Sequence, residues 1–201
     1  GQKLNEKEME YIENILATIY DIRLTSAEYS SQKQLNLKLK LWNEQGGRCL
    51  YSGKQIEPRD IIEDPDRFEI DHIIPRSISF DDSRSNKVLV YRTENQKKGN
   101  QTPYYYLAHS DSKWSFEQYK ATVLEMSKKK EYGISRKKVQ NLLFSDDITK
   151  MDVLKGFINR NIDDTRYASR VVLNTVQSFF DAKEANTKVK AVKGSYTNQM
   201  R

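Results

Sequence analysis

One segment decides what this chain can build: FEIDHIIPRSISFDDSRSNKVLVYRTENQKKGN, residues 68–100. Phe68, Ile70 and then Ile73–Ile74 read as a strand, and Pro75 ends its pairing because proline has no N–H to give. A loop rich in Ser and Asp follows. KVLVY, residues 87–91, reads as a second strand, and TENQKK then fits a short helix with Thr93 as its cap and Gly99 as its stop. The order strand, long loop, strand, helix is a hairpin with a helix beside it.

The rest of the chain reads as mostly helical, so the fold class expected is α+β. In residues 5–23, Met9, Ile12, Leu16 and Ile19 share one face, and Asn5 with Glu8 resembles a capping box. Thr25 to Ser31 reads as a polar break. Leu35, Leu39 and Trp42 fit a helix that Gly46–Gly47 stops, although Leu35, Leu37, Leu39 and Leu41 also alternate as a strand would. RCLYSGKQI reads as a turn with short extended pieces, and Pro58 opens a short helix. Further helices are expected near 103–108, 114–129, 136–143, 150–160 and 163–184, with a strand at 187–192. The charge run from Lys128 to Lys138 reads as a solvated connector rather than a binding patch.

The chemistry concentrates in the opening segment. It holds Asp71 and His72 side by side, then Asn86 and Asn95. Hydrolysis of a phosphodiester needs an activated water and a way to stabilise charge on the phosphoryl and leaving oxygens, which a hard divalent cation does well. Asp71 offers a carboxylate and Asn95 an amide carbonyl, two oxygen ligands of the kind Mg²⁺ takes alongside water and phosphate. A histidine can take a proton from water near neutral pH. Adjacent strand residues point to opposite faces, however. Either a twist or bulge near Ile70–Ile73 re-aims one side chain, or Asp71 faces the helix while His72 reaches in from the side. On the residues alone three readings stay open: a metal-dependent nuclease site, a structural Asp–His pair, and a zinc site. Zinc is disfavoured, because the chain has two histidines and one cysteine, with His109 in a separate segment.

Charge agrees with a polyanion partner without requiring one: the formal net charge is +6 and the pI about 9.2. The lone Cys49 allows no disulfide within the chain and fits a reducing, cytoplasmic setting. No apolar run is long enough to span a membrane, and no signal peptide is expected ahead of the fold. Gly1 stands first rather than Met, as expected of a piece of a longer protein.

The segment EIDHIIPRSISFDDSRSNKVLVYRTENQKKGNQTP resembles the HNH nuclease motif of the CRISPR type II RNA-guided DNA endonucleases. The resemblance rests on the Asp-His-Ile-x-Pro core, the Asn-Lys-Val-Leu strand, the asparagine of the short helix and the spacing from His72 to Asn95. RCLYSGKQI before it and FINRNIDDTRYASRVVLN after it agree. The resemblance implies a ββα-metal core surrounded by additional helices. Asp71 and Asn95 would bind Mg²⁺, with Mn²⁺ as a substitute. His72 would be the general base, and Asn86 would tie down the loop and orient the histidine backbone. Lys97 and Lys98 are candidate phosphate contacts, and Arg166 and Arg170 candidate contacts to guide RNA or heteroduplex. Many relatives carry Cys-x-x-Cys pairs that hold zinc. Here Ser52 stands where the second cysteine would be, so no structural zinc is expected and Cys49 is expected as a buried apolar residue.

The same resemblance divides the chain. Residues 1–34 would be a helical linker from a preceding RuvC-like segment, 35–145 the HNH domain, and 146–201 a linker helix and the incomplete start of the third RuvC-like segment. The RuvC-like catalytic His and Asp would lie beyond Arg201. The implied activity is Mg-dependent hydrolysis of the target DNA strand paired to guide RNA. The implied partners are that strand, the guide and the remainder of the parent endonuclease, with no membrane, and the fragment itself monomeric. Two rivals remain: a standalone HNH endonuclease of homing or restriction type, and a nucleic-acid-binding domain without catalysis.

Overall fold

A computed structural model describes residues 2–32, 34–110 and 113–161. The fold is α+β and mostly helical. Its sheet has two antiparallel strands, β1 (Phe68–His72) and β2 (Lys87–Tyr91), in unbroken register from Phe68 opposite Tyr91 to His72 opposite Lys87. Four helices precede it: α1 (Gln2–Tyr20), α2 (Ser26–Ser31), α3 (Leu35–Glu44) and α4 (Pro58–Glu63). The loop between the strands carries α5 (Arg76–Ser79). After β2 come α6 (Arg92–Lys98), α7 (Pro103–Ala108), α8 (Phe116–Met126), α9 (Arg136–Leu142) and α10 (Met151–Asn161). The chain forms two compact units, one of residues 1–75 with 82–145, the other of 76–81 with the chain from 146 onward. In the second unit α5 and α10 pack on each other. The expected helix at 163–184, the strand at 187–192, Arg166 and Arg170 lie outside the described residues.

A two-stranded hairpin is marginal by itself, so its surroundings must hold it. In the first unit α6 packs across both strands, and α3 lies against β2. The outer edge of β2 is closed by a side chain. Gln45 is buried, its amide Nε2 donates to the Leu89 carbonyl at 2.8 Å, and its Oε1 accepts from the Leu89 N–H at 2.7 Å. One glutamine thus imitates a third strand at one residue and occupies an edge that would otherwise be open to pairing. The buried apolar side chains include Leu35, Leu39 and Leu41 of α3, Phe68 of β1, and Val88, Leu89 and Val90 of β2, and α1, which carries the buried Ile12 and Leu16, packs on α3.

The RCLYSGKQI turn folds as a knuckle. Arg48 and Gln55 form an isolated antiparallel bridge, the Gly53 N–H donates to Cys49 O at 2.8 Å, and Cys49, Leu50 and Tyr51 are buried. Burial pushes the Cys49 thiol above its ordinary value, which keeps it protonated and inert. Gly53 is required there. Its φ of +68° suits glycine, and a Cβ would sit 2.4 Å from the Trp114 ring, whose N–H donates to Leu50 O.

Several local expectations are corrected. Asn5 is no cap, because α1 begins at Gln2. Asn5 instead accepts from the Lys40 amine, and Glu8 is buried against Arg84. Thr25–Ser31 is not a break: α2 forms there, with a capping box between Thr25 and Glu28 that carries no apolar period to betray it. Thr93 is the second residue of α6, and Tyr91 is its N-cap, so strand passes to helix without a linker; Gly99 ends α6 at a φ of +54°. Regular pairing ends at His72, although the Ile73 N–H still donates to Asn86 O at 2.9 Å.

The largest correction concerns the run from Lys128 to Lys138. Lys138 is buried and ion-paired with Glu44, and Lys129 donates to Asn43 Oδ1 at 3.0 Å. Glu44 also meets Arg84 Nε at 2.7 Å, and the other side of that guanidinium grips Glu8 of α1. Two buried carboxylates and two cations therefore join α1, α3, α9 and the turn before β2. Buried ions need their partners far more than exposed ones do. Glu44→Ala is expected to lower stability by about 3–5 kcal/mol in urea unfolding, since it strands Lys138 in the interior. A loss below about 1 kcal/mol, the value of an exposed pair, would contradict that role.

Candidate active site

β1 presents alternate residues to two environments, and that decides where each candidate goes. Glu69 and Asp71 share the face covered by α6, whereas His72 lies on the opposite one. No bulge re-aims either side chain, because the register is regular through His72. Asp71 is turned to the helix, and His72 meets the loop at Asp82.

Asp71 is only 9% exposed and is held by two donors on one oxygen. The Tyr51 hydroxyl donates to Oδ2 at 2.7 Å, and the Lys98 amine approaches the same atom at 2.8 Å. Lys98 also donates to the His72 carbonyl at 3.1 Å and stands over the Tyr51 ring. Lys98 is 1% exposed, so it faces the interior and not a bound phosphate. The reason is helical spacing: Asn95 and Lys98 share the α6 face turned to β1, while Lys97 points outward beside Glu94. Burial pushes the Lys98 amine below its ordinary value, and the Asp71 carboxylate pulls it back. Burial, and next the Asp71 charge, raise the Tyr51 phenol well above its own, so it remains a donor.

Asn95 meets Glu69 rather than Asp71. Its amide Nδ2 donates to Glu69 Oε2 at 2.7 Å, and Glu69 Oε1 accepts from Arg92 Nε at 2.9 Å. An amide whose nitrogen is fixed on a carboxylate turns its oxygen the other way. Helix and strand are thus matched as two parallel pairs, Asn95 with Glu69 and Lys98 with Asp71. Residues two apart on a strand are separated by about 7 Å, so Asp71 and Asn95 are neighbours across one step of the site, not partners in contact.

His72 looks to the other side. Its Nε2 lies 2.8 Å from Asp82 Oδ1, and the Lys87 amine meets the same oxygen at 3.0 Å. The imidazole, with its side chain 25% exposed, is open to solvent. Asn86, fully buried, pins the backbone just beyond it. Its Oδ1 accepts from the Ile74 N–H and its Nδ2 donates to the Ile74 carbonyl, both at 2.9 Å. This two-bond ring fixes the chain where it leaves β1, and so sets the path of the His72 backbone.

Sequence reasoning missed Glu69, Tyr51 and Asp82. Glu69 was within reach, since it lies two residues before Asp71 on one strand face. Tyr51 carries no local signal, because only the folded knuckle brings it under β1. Among the described residues no group of three or more His, Cys, Asp or Glu side chains forms a metal cluster, so any cation here depends on one carboxylate and an amide oxygen.

Residues 49–104 match the family described as HNH endonuclease, and residues 152–201 match RuvC endonuclease subdomain 3. The chain is 48% identical over 202 residues to the CRISPR-associated endonuclease Cas9 1 of Streptococcus thermophilus, a match covering 100% of this chain and 18% of that protein. It is 48% identical over 164 residues to the CRISPR-associated endonuclease Cas9 of Staphylococcus aureus, covering 82% of this chain and 16% of the relative. Among solved structures, Streptococcus thermophilus Cas9 in complex with AGGA PAM matches with a TM-score of 0.68 at 46% identity, over 100% of this chain and 19% of that one. The chain therefore spans about a fifth of the length of these relatives.

The geometry generates one test of the hairpin's own support. Asn86→Ala removes the two hydrogen bonds that its side chain makes with the Ile74 backbone, at a cost of about 0.5–1.5 kcal/mol each. A drop in Tm is expected in thermal unfolding, and an unchanged Tm would remove Asn86 from that role.

Proposed function

Because the chain belongs to the CRISPR-associated endonucleases, as their HNH region followed by RuvC subdomain 3, we propose that its HNH unit hydrolyses the target DNA strand paired to a guide RNA. Residues 35–145 carry the reaction in this reading. Residues 1–34 and 146–201 are the helical connection and the start of the third RuvC segment. The parent protein supplies the guide, the rest of the RuvC-like domain and the grip on the heteroduplex, so that pairing rather than side-chain readout selects the sequence. A relative solved with a PAM supports nucleic acid as the partner, and the net charge of +6 agrees with it. The setting proposed is the bacterial cytoplasm; among the described residues no helix is long and apolar enough to cross a membrane. The match to RuvC subdomain 3 disfavours a standalone HNH enzyme.

The observation that carries the mechanism is the split of β1 into two faces. On the α6 face, Asp71 and Asn95 would hold a divalent cation. The donor set fits one. The Tyr51 and Lys98 contacts to Asp71 both fall on Oδ2 rather than Oδ1, and Glu69 engages the nitrogen of Asn95 rather than its oxygen. Two hard oxygen donors suit Mg²⁺, or Mn²⁺ in its place, with water and phosphate completing the shell. When bound, such a cation stabilises charge on the phosphoryl and leaving oxygens. On the other face His72 takes the proton from the attacking water. Asn86 keeps that imidazole on its path, and Lys98 holds Asp71 in place through its Oδ2. Lys97, exposed on the outer side of α6, is positioned to meet backbone phosphate.

Two variants of the parent endonuclease, loaded with guide RNA, test this reading. His72→Ala is expected to slow nicking of the guide-paired strand by about 10²–10⁴-fold, the usual contribution of a general base, with DNA binding kept. Unchanged nicking would end the assignment. Asn95→Ala is expected to raise the Mg²⁺ concentration needed for half-maximal nicking while Tm stays within a degree or two. A large fall in Tm with unchanged metal dependence would make Asn95 structural instead.

A further inference from the structure

The loop between the strands supplies a carboxylate that the mechanism so far does not use. Asp82 sits over one rung of the hairpin, the pair His72–Lys87, and one of its oxygens contacts both members. Side chains of a directly opposed pair stand on the same face about 4.5–5.5 Å apart, so a single carboxylate can span them. Its placement is not left to a floppy loop. Arg84, two residues on, is bound to Glu8 and Glu44, and Asn86 is locked to Ile74. The segment that carries Asp82 is therefore tied to the core immediately after it.

An ionised carboxylate can only accept a hydrogen bond. At 2.8 Å from Asp82 Oδ1, Nε2 of His72 must be the nitrogen that carries hydrogen. The proton of a neutral imidazole sits on one nitrogen only, and the bond made by one nitrogen fixes the state of the other. With Nε2 protonated, the lone pair is on Nδ1. Among the described residues Nδ1 makes no hydrogen bond to protein, and the side chain is 25% exposed. A base needs a lone pair where the water is, so the tautomer chosen by Asp82 is the one that can act.

We propose that Asp82 is a positioning residue for the reaction: it holds the His72 imidazole in the tautomer with hydrogen on Nε2, so that Nδ1 is the atom that takes the proton from water. Lys87 assists by meeting the same oxygen at 3.0 Å, which fixes the Asp82 carboxylate over the rung. The inference rests on the reading of His72 as base. The proton moves from water oxygen to Nδ1, the water oxygen bonds to phosphorus, and the sugar oxygen leaves with its bonding pair. Asp82 gains no proton in this step.

Asp82→Asn is the discriminating variant. It preserves shape, but its amide can donate to Nε2 and so permits the opposite tautomer, with hydrogen on Nδ1. Long-range ¹H–¹⁵N spectra of the 201-residue chain, taken where the ring is neutral, are expected to show hydrogen on Nε2 in the native protein and a shift toward Nδ1–H in Asp82→Asn. Nicking of the guide-paired strand by the parent enzyme is expected to fall at least about tenfold in Asp82→Asn and Asp82→Ala, within the ~10²–10⁴-fold that a base supplies. Asp82→Glu, which restores an acceptor, is expected to recover part of it, with Tm of Asp82→Asn unchanged. If His72→Ala abolishes nicking while Asp82→Asn keeps both native rate and native tautomer, the positioning role is overturned and the base stands. If His72→Ala leaves nicking intact, the base reading falls first and takes this role with it.

Discussion

A strand cannot point two neighbours in one direction, and the chemistry assigned to this chain uses two neighbours. Asp71 and His72 are adjacent on an unbroken ladder, so one must face the covering helix and the other the open loop. Everything else in the site answers that constraint. The α6 face supplies a phenol and an amine to Asp71, and an amide to Glu69 beside it. The loop face supplies a carboxylate and an amine around His72. The hairpin is the wall between these two faces, and in the proposed mechanism a phosphate reached from both sides lies at its edge. Asn86 stands where the wall ends, which explains why a fully buried asparagine is used there rather than a simple turn residue.

The same wall would be useless if it moved, and it is too small to hold itself. Rigidity comes from polar groups placed where apolar ones are more usual. Gln45 completes the edge of β2, and Glu44, Lys138, Arg84 and Glu8 lock α1, α3, α9 and the loop end together. Apolar residues could fill such space with equal or greater stability, since buried ion pairs recover little beyond their desolvation. What charge adds is orientation. A guanidinium bound to two carboxylates fixes the loop end in a way that a leucine would not, and the loop end carries the partner of His72.

The hairpin and its chemistry were legible because they are local. Asp71, His72, Asn86 and Asn95 fall within one short window whose strand and helix periods can be counted, and Gly99 marks the end of α6. The residues that support them were not legible, because their partners are distant in sequence. Lys98 and Lys138 look alike on paper, as members of charge-rich stretches, and both were read as solvated or as phosphate contacts. The fold buries each against one carboxylate, Asp71 and Glu44, that nothing nearby in the chain announces. Asp82 resembles any loop acid until the ladder places His72 beneath it. Thr25 with Glu28 is the opposite case, a plain capping box passed over because no apolar stripe followed it.

Lys98 gives Asp71 a property that matters for a metal-assisted enzyme. A carboxylate this buried needs compensation at all times, not only when a cation is present. In a zinc knuckle the ligands have no other partners, and binding the ion is the act of folding. Here Tyr51 and Lys98 satisfy one oxygen of Asp71 from within the protein, so in the proposed mechanism the hairpin can fold before its cation binds. The arrangement separates the stability of the site from its loading. A resident positive charge also weakens attraction for a second cation, which biases such a site toward taking its metal together with the phosphate that adds negative charge.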